Sequence, residues 1–135
     1  MKNRRSFIKK ITGLTLAGIF PFLRKAEAGE VKITSALVHH VFFWLKEPEN
    51  ELHKKQLVNA LNDLLKVKTI KVSHIGFPAG TESRDVVDHS YSVSYMVMFN
   101  SQADQDSYQV DPIHTKFVEE NQHLWNKVVV YDSVD

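Results

Sequence analysis

Ala36-Leu37-Val38-His39-His40-Val41-Phe42-Phe43-Trp44-Leu45-Lys46 is the stretch whose reading decides the fold. It is rich in β-branched and aromatic residues, which fit a pleated, packed surface, so it reads as a strand. Successive strand residues point to opposite faces, and here both alternating sets are apolar. One set holds Val38, His40, Phe42 and Trp44; the other holds Leu37, His39, Val41, Phe43 and Leu45. A sheet with helices on one side and water on the other would alternate apolar with polar. Both faces of this strand are therefore expected to be covered, one by helices and one by a second subunit.

Working outward, Leu57, Ala60, Leu61, Leu64 and Leu65 recur at helical spacing and predict a helix over 49–66. Residues 69–77 read as a second strand, ended by Pro78-Ala79-Gly80, with a polar surface loop over 81–88. Residues 90–99 alternate, with Tyr91, Val93, Tyr95, Val97 and Phe99 on one face. Ser101 with Asp104 three residues later starts a short helix through Tyr108. A further helix runs from Pro112 to about Leu124, and residues 127–134 form a last strand. The order β-α-β-β-α-β predicts an α+β, ferredoxin-like fold: a four-stranded antiparallel sheet with helices on one face. The face without helices is left to close against a partner's sheet.

The start of the last helix carries the candidate chemistry. Asp111 is a good N-cap and Pro112 suits the first helical position, so the helix begins here on local grounds alone. His114 then shares its face with Phe117 and Val118, which sets an imidazole among apolar residues.

Residues 1–28 are read separately, as a leader. Asn3 to Lys10 is basic, Ile11 to Leu23 is uncharged, and Ala26-Glu27-Ala28 offers a small-x-small cleavage site. Arg4-Arg5-Ser6-Phe7-Ile8-Lys9 resembles a twin-arginine export signal, with Asn3 where Ser or Thr is usual; the alternatives are an ordinary secretory signal and an uncleaved anchor. The expected organisation is a signal peptide over 1–28 and one domain over 29–135, periplasmic or secreted in a bacterium. No stable membrane anchor is expected after cleavage. Of 17 Lys/Arg and 16 Asp/Glu, seven and one lie in the leader, so the mature chain holds 10 basic and 15 acidic residues and carries −5. That charge argues against a nucleic-acid partner. There is no cysteine to cross-link so small an exported domain, and packing and dimerisation must stabilise it.

Val38 to Lys46, the Tyr-x-Val-x-Tyr-x-Val-x-Phe strand over 91–99, Asp111-Pro112-Ile113-His114 with Phe117, and the closing stretch over 125–132 together resemble the stress-responsive dimeric α/β-barrel (Dabb) family. The resemblance covers 34–132. Asp111 stands where the family more usually has His. The resemblance implies a homodimer with a shared barrel, and a family in which many members have no assigned activity. A plant polyketide cyclase of the family closes rings by an aldol step with a first-strand His and the last His of His-Pro-x-His. Carried over, these imply His40 and His114, with Tyr108 as a pocket tyrosine. A further pocket tyrosine in that enzyme's first helix has no match, since 57–65 contains none.

Two neutral imidazoles can exchange protons with a substrate while the Tyr108 hydroxyl holds a developing enolate. Phe42, Trp44 and Tyr95 are the candidate ligand-binding aromatics, with core or dimer interface as their competing role. The structural alternative is that His114 donates a hydrogen bond to a backbone carbonyl or a partner subunit, and that His40 is a satisfied strand residue. His39 and His40 point to opposite sides, and His53, His74, His89 and His123 are scattered, so no metal site is expected and no cofactor is implied. The expected function is a stress-related or binding domain for a small, partly apolar molecule. The alternatives are an aldol-cyclase or monooxygenase-like enzyme and a purely structural dimer.

Overall fold

A computed structural model describes Gly29 and residues 32–135. The expected leader therefore lies outside the described residues. The elements are β1 (Leu37–Leu45), α1 (Glu51–Leu64), β2 (Val72–Gly76), β3 (Val93–Phe99), α2 (Gln102–Val110), α3 (Pro112–Asn121), a 3-10 turn (Gln122–Leu124) and β4 (Trp125–Val134). The strands form one antiparallel sheet in the order β2-β3-β1-β4. This is the expected ferredoxin-like α+β fold.

Local chemistry sets the helix boundaries. The Asn50 side chain accepts from the backbone N–H groups of Leu52 and His53 and starts α1. The Ser101 hydroxyl accepts from Asp104 N–H and starts α2. Asp111 is extended, at φ −61° and ψ 135°, and its carboxylate accepts from Ile113 N–H at 2.8 Å. Pro112 lacks an N–H and forces the preceding residue out of helical geometry, so α2 and α3 are separate helices meeting at a corner.

The core lies between the sheet and the helices. Leu37, His39, Val41, Phe43 and Leu45 of β1 are buried there, beside Val93, Tyr95, Val97 and Phe99 of β3. Leu57, Leu61 and Leu64 of α1, Phe117 of α3 and Leu124 close over them. The other set on β1, Val38, His40, Phe42 and Trp44, is half-buried on the opposite, open face. Its strand neighbours on that face are Ser94, Met96 and Met98 of β3, and Lys127, Val129 and Tyr131 of β4.

One alternation fails. Tyr91 was expected on the same face as Val93 and Tyr95, but its ring packs edge-on against Phe42 at 4.9 Å and against Trp44 at 6.5 Å, on the open face. Regular strand begins only at Val93, because the Ser92 hydroxyl accepts from Leu45 N–H at 3.1 Å. A side chain replacing a ladder bond breaks the period of two. The same segment latches the sheet's end, with Trp44 Nε1 donating to Ser90 Oγ at 2.9 Å.

Candidate functional site

Two hollows flank the helices. A groove of about 410 Å³ between α1 and α3 is rimmed by Asp63, Lys66, Lys116 and Glu120, charges that pair with one another as Lys66–Asp63 at 2.6 Å and Lys116–Glu120 at 3.8 Å. The second, of about 280 Å³, lies between β1, β4 and α3 and is mostly apolar, with Val41, Phe43, Leu61, Phe117 and Val130 in its wall. Four ring-bearing polar residues converge on it: His39, Tyr95, Tyr108 and His114. A mostly apolar hollow with a few convergent polar groups is the usual form of a small-molecule site.

His114 reaches the cavity from the first turn of α3, which Asp111 and Pro112 hold in place. Its Nδ1 donates to the Gln109 carbonyl at 3.2 Å, so the neutral ring keeps its lone pair on Nε2. Burial pushes the His114 pKa below its ordinary value; the Gln109 carbonyl opposes this, the nearby His39 adds to it and Asp111 opposes it. The Tyr108 ring lies 4.6 Å from that of His114. Tyr108 is fully buried, and its phenol is pushed up to about 12 by burial, against a smaller opposing effect of the Tyr95 hydroxyl. Burial raises Tyr95 further, with the adjoining Tyr108 contributing. Both remain phenols at neutral pH, and their hydroxyls stand 3.5 Å apart, a weak hydrogen bond.

The first-strand histidine of the cavity is His39, in place of the expected His40. His39 is in phase with Leu37, Val41 and Phe43, whereas His40 lies on the open face, its ring 4.2 Å from that of Phe42. The sheet therefore separates His40 from His114. His39 is buried, and its ring meets Tyr108 edge-on at 5.8 Å. Its Nδ1 lies 2.6 Å from Asp132 Oδ1, because the β1–β4 register sets the two residues directly opposite. A carboxylate there accepts from Nδ1–H and fixes the orientation of the ring.

Of the other candidates, Tyr108, Tyr95 and His114 are together in the cavity. Phe42 and Trp44 are not: strand alternation sends them to the open face, where Tyr91 and Lys127 cover them, the ammonium 4.2 Å above the Trp44 ring. Sequence reasoning missed His39 as a site residue and Asp132 altogether. An acidic residue after the apolar run Val128-Val129-Val130-Tyr131 was the available signal for Asp132.

The stress-responsive A/B barrel (Dabb) family model matches residues 37–135, and the chain belongs to this family. A search of curated protein sequences finds no match. Among solved structures, a Dabb protein with a ferredoxin-like fold from Mesorhizobium loti matches with a TM-score of 0.61 at 22% identity, covering 74% of this chain and 96% of its own. A hydroxynitrile lyase from Passiflora edulis matches at 0.63 and 21% identity, covering 74% of this chain and 93% of its own. A dimeric ferredoxin-like protein of unknown function from Bacteroides fragilis matches at 0.58 and 14% identity, covering 77% of this chain and all of its own. At these identities the likenesses concern the fold.

Proposed function

We propose that the chain is exported, dimerises through the open face of its sheet, and binds a small, uncharged, partly apolar molecule in the cavity between sheet and helices. The convergence of His39, Tyr108 and His114 on one apolar hollow carries this reading. No Lys or Arg lines the hollow, so nothing there would compensate a ligand's negative charge. Two phenols and the His114 imidazole suit a hydroxyl or carbonyl group, and about 280 Å³ suits a single-ring molecule. Calorimetry with benzyl alcohol, benzaldehyde and benzoate tests it. Binding of the two neutral probes, weakened by Tyr108→Phe and His114→Gln, is the expected outcome; preference for benzoate, or no loss in either variant, contradicts it.

The half-buried His114, its pKa lowered and its ring beside Tyr108, favours a second reading, acid–base catalysis of the lyase or aldol kind. The ring would take a proton from a hydroxyl or an activated carbon while the phenol donates to the carbonyl oxygen. The hydroxynitrile lyase has this fold, and a fold of this type hosts unrelated activities. Cleavage of an aromatic cyanohydrin, followed by aldehyde absorbance, checks it: activity should vanish in His114→Ala.

Dimerisation is supported by an open face rich in Val38, Phe42, Met96, Met98, Val129 and Tyr131, and by dimeric proteins of the same fold. Light scattering on residues 29–135 should give twice the chain mass, and a monomer at micromolar concentration would contradict this. Export is supported by the leader's sequence pattern, and sequencing the N-terminus of periplasmic protein should begin at Gly29.

A further inference from the structure

The open face carries a second constellation that the cavity does not use. The strand registers set His40 of β1 opposite Met96 of β3, and Met96 opposite His74 of β2, so an imidazole, a thioether and an imidazole form one row across three neighbouring strands. Strands lie about 4.8 Å apart, which puts the two histidine backbones roughly 10 Å from one another with the sulfur side chain between them. The next row on the same face is Phe42, Ser94 and Gly76. Both imidazoles lean toward it. The His40 ring rests 4.2 Å from that of Phe42. The His74 ring occupies the space a side chain at residue 76 would need: a Cβ on Gly76 would meet His74 Cε1 at 2.7 Å. Gly76 thus makes the hollow in which His74 lies, with the Ser94 hydroxyl bordering it.

Among the described residues, ring hydrogen bonds or ion pairs are made by His39, His53, His89 and His114, and not by His40 or His74. Burial lowers the His40 pKa, and the nearby His74 and then His39 lower it further, which keeps its lone pair available. No open-face position of the four strands holds a carboxylate. Groups of three or more His, Cys, Asp or Glu able to hold a metal do not occur among the described residues, so a site here depends on the thioether.

We propose that His40, Met96 and His74 form a binding site for a soft monovalent cation, copper(I), on the open face. Two imidazoles and a thioether, without carboxylate, suit a soft ion of low charge. Calcium and magnesium require oxygen ligands, and zinc takes thiolate, imidazole or carboxylate in preference to thioether. Phe42 flanks the row and Tyr131 ends it, and in the proposed dimer the partner's sheet covers the bound ion. The histidines that looked scattered along the chain are brought together by register, which spacing in the sequence does not reveal.

The test is anaerobic titration of the purified chain with copper(I) against a chromophoric copper(I) chelator, with zinc as the control metal. The expected result is one copper per chain, bound at least tenfold more weakly by Met96→Leu and by His74→Asn, while weak zinc binding is unchanged by Met96→Leu. Gly76→Ala, which removes no ligand, should also weaken copper by displacing the His74 ring from the space it occupies. Light scattering and melting curves on each variant separate loss of a ligand from loss of fold or dimer. X-ray absorption should show copper–sulfur scattering that Met96→Leu removes. Equal copper affinity in wild type and Met96→Leu, zinc displacing copper, or a spectrum without sulfur would each overturn the proposal.

Discussion

His39 and His40 are neighbours in the chain and belong to different sites. His39 faces the helices, paired with Asp132 and in contact with Tyr108 over an apolar hollow. His40 faces outward, tilted against Phe42 and lined up with Met96 and His74. The first face is closed by covalently connected helices, and its polar groups are fixed by partners within the chain. The second is half-covered, latched at one end by Ser90 and Tyr91, and bare around Tyr131. A single strand thus gives one face to a pocket and the other to the proposed association, and a shift of one residue in its phase would exchange the two roles.

The largest effect that separates the faces is packing. Phe43→Ala, on the helix side, should lower stability by about 3–5 kcal/mol at any protein concentration. Phe42→Ala should cost less, and its melting temperature should rise with protein concentration more steeply than that of wild type, since its loss falls on the proposed interface. Identical, concentration-independent losses measured by calorimetry would break the distinction.

Next in size is the cavity itself. Tyr108→Phe removes one buried hydroxyl, and neutral-probe binding should weaken about fivefold to tenfold, in line with about 1 kcal/mol per hydrogen bond. His40→Gln should leave probe binding unchanged. A loss with His40→Gln equal to that with Tyr108→Phe would restore the original pairing of His40 with His114.

A pH effect follows from burial. The folded-state pKa values of His114 and His40 lie below the ordinary value of 6.5. As pH falls through 6.5 the unfolded chain takes up protons that the folded chain does not, so stability, complete above that pH, should decline below it. His114→Gln should flatten the slope measured by denaturant titration at several pH values; an unchanged slope would remove His114 as a source. Smallest of all is Asp132→Asn. The carboxylate is half exposed, so the loss should be about 1 kcal/mol or less, read by thermal melts alongside weaker probe binding.

Much of the fold was legible because its signals are local. Asn50, Ser101 and Asp111 with Pro112 announce helix starts, and α1 and β3 show their periods openly. His114 and Tyr108 were legible for the same reason, since a cap and a helical spacing place them. The phase of β1 was not legible, because Val38, Phe42 and Trp44 are as apolar as Leu37, Val41 and Phe43. Asp132 meets His39 through a register that joins residues 93 positions apart, which no local pattern encodes. The row of His40, Met96 and His74 is likewise a product of two registers. Tyr91 was assigned to the wrong face because the Ser92 side chain interrupts the strand.

Histidine-resolved NMR during titration with benzyl alcohol tests the two-faced strand most directly. The expected result is that the ring signals of His39 and His114 shift together and saturate, while those of His40 and His74 stay in place. Saturating shifts at His40 with His114 unmoved would contradict it.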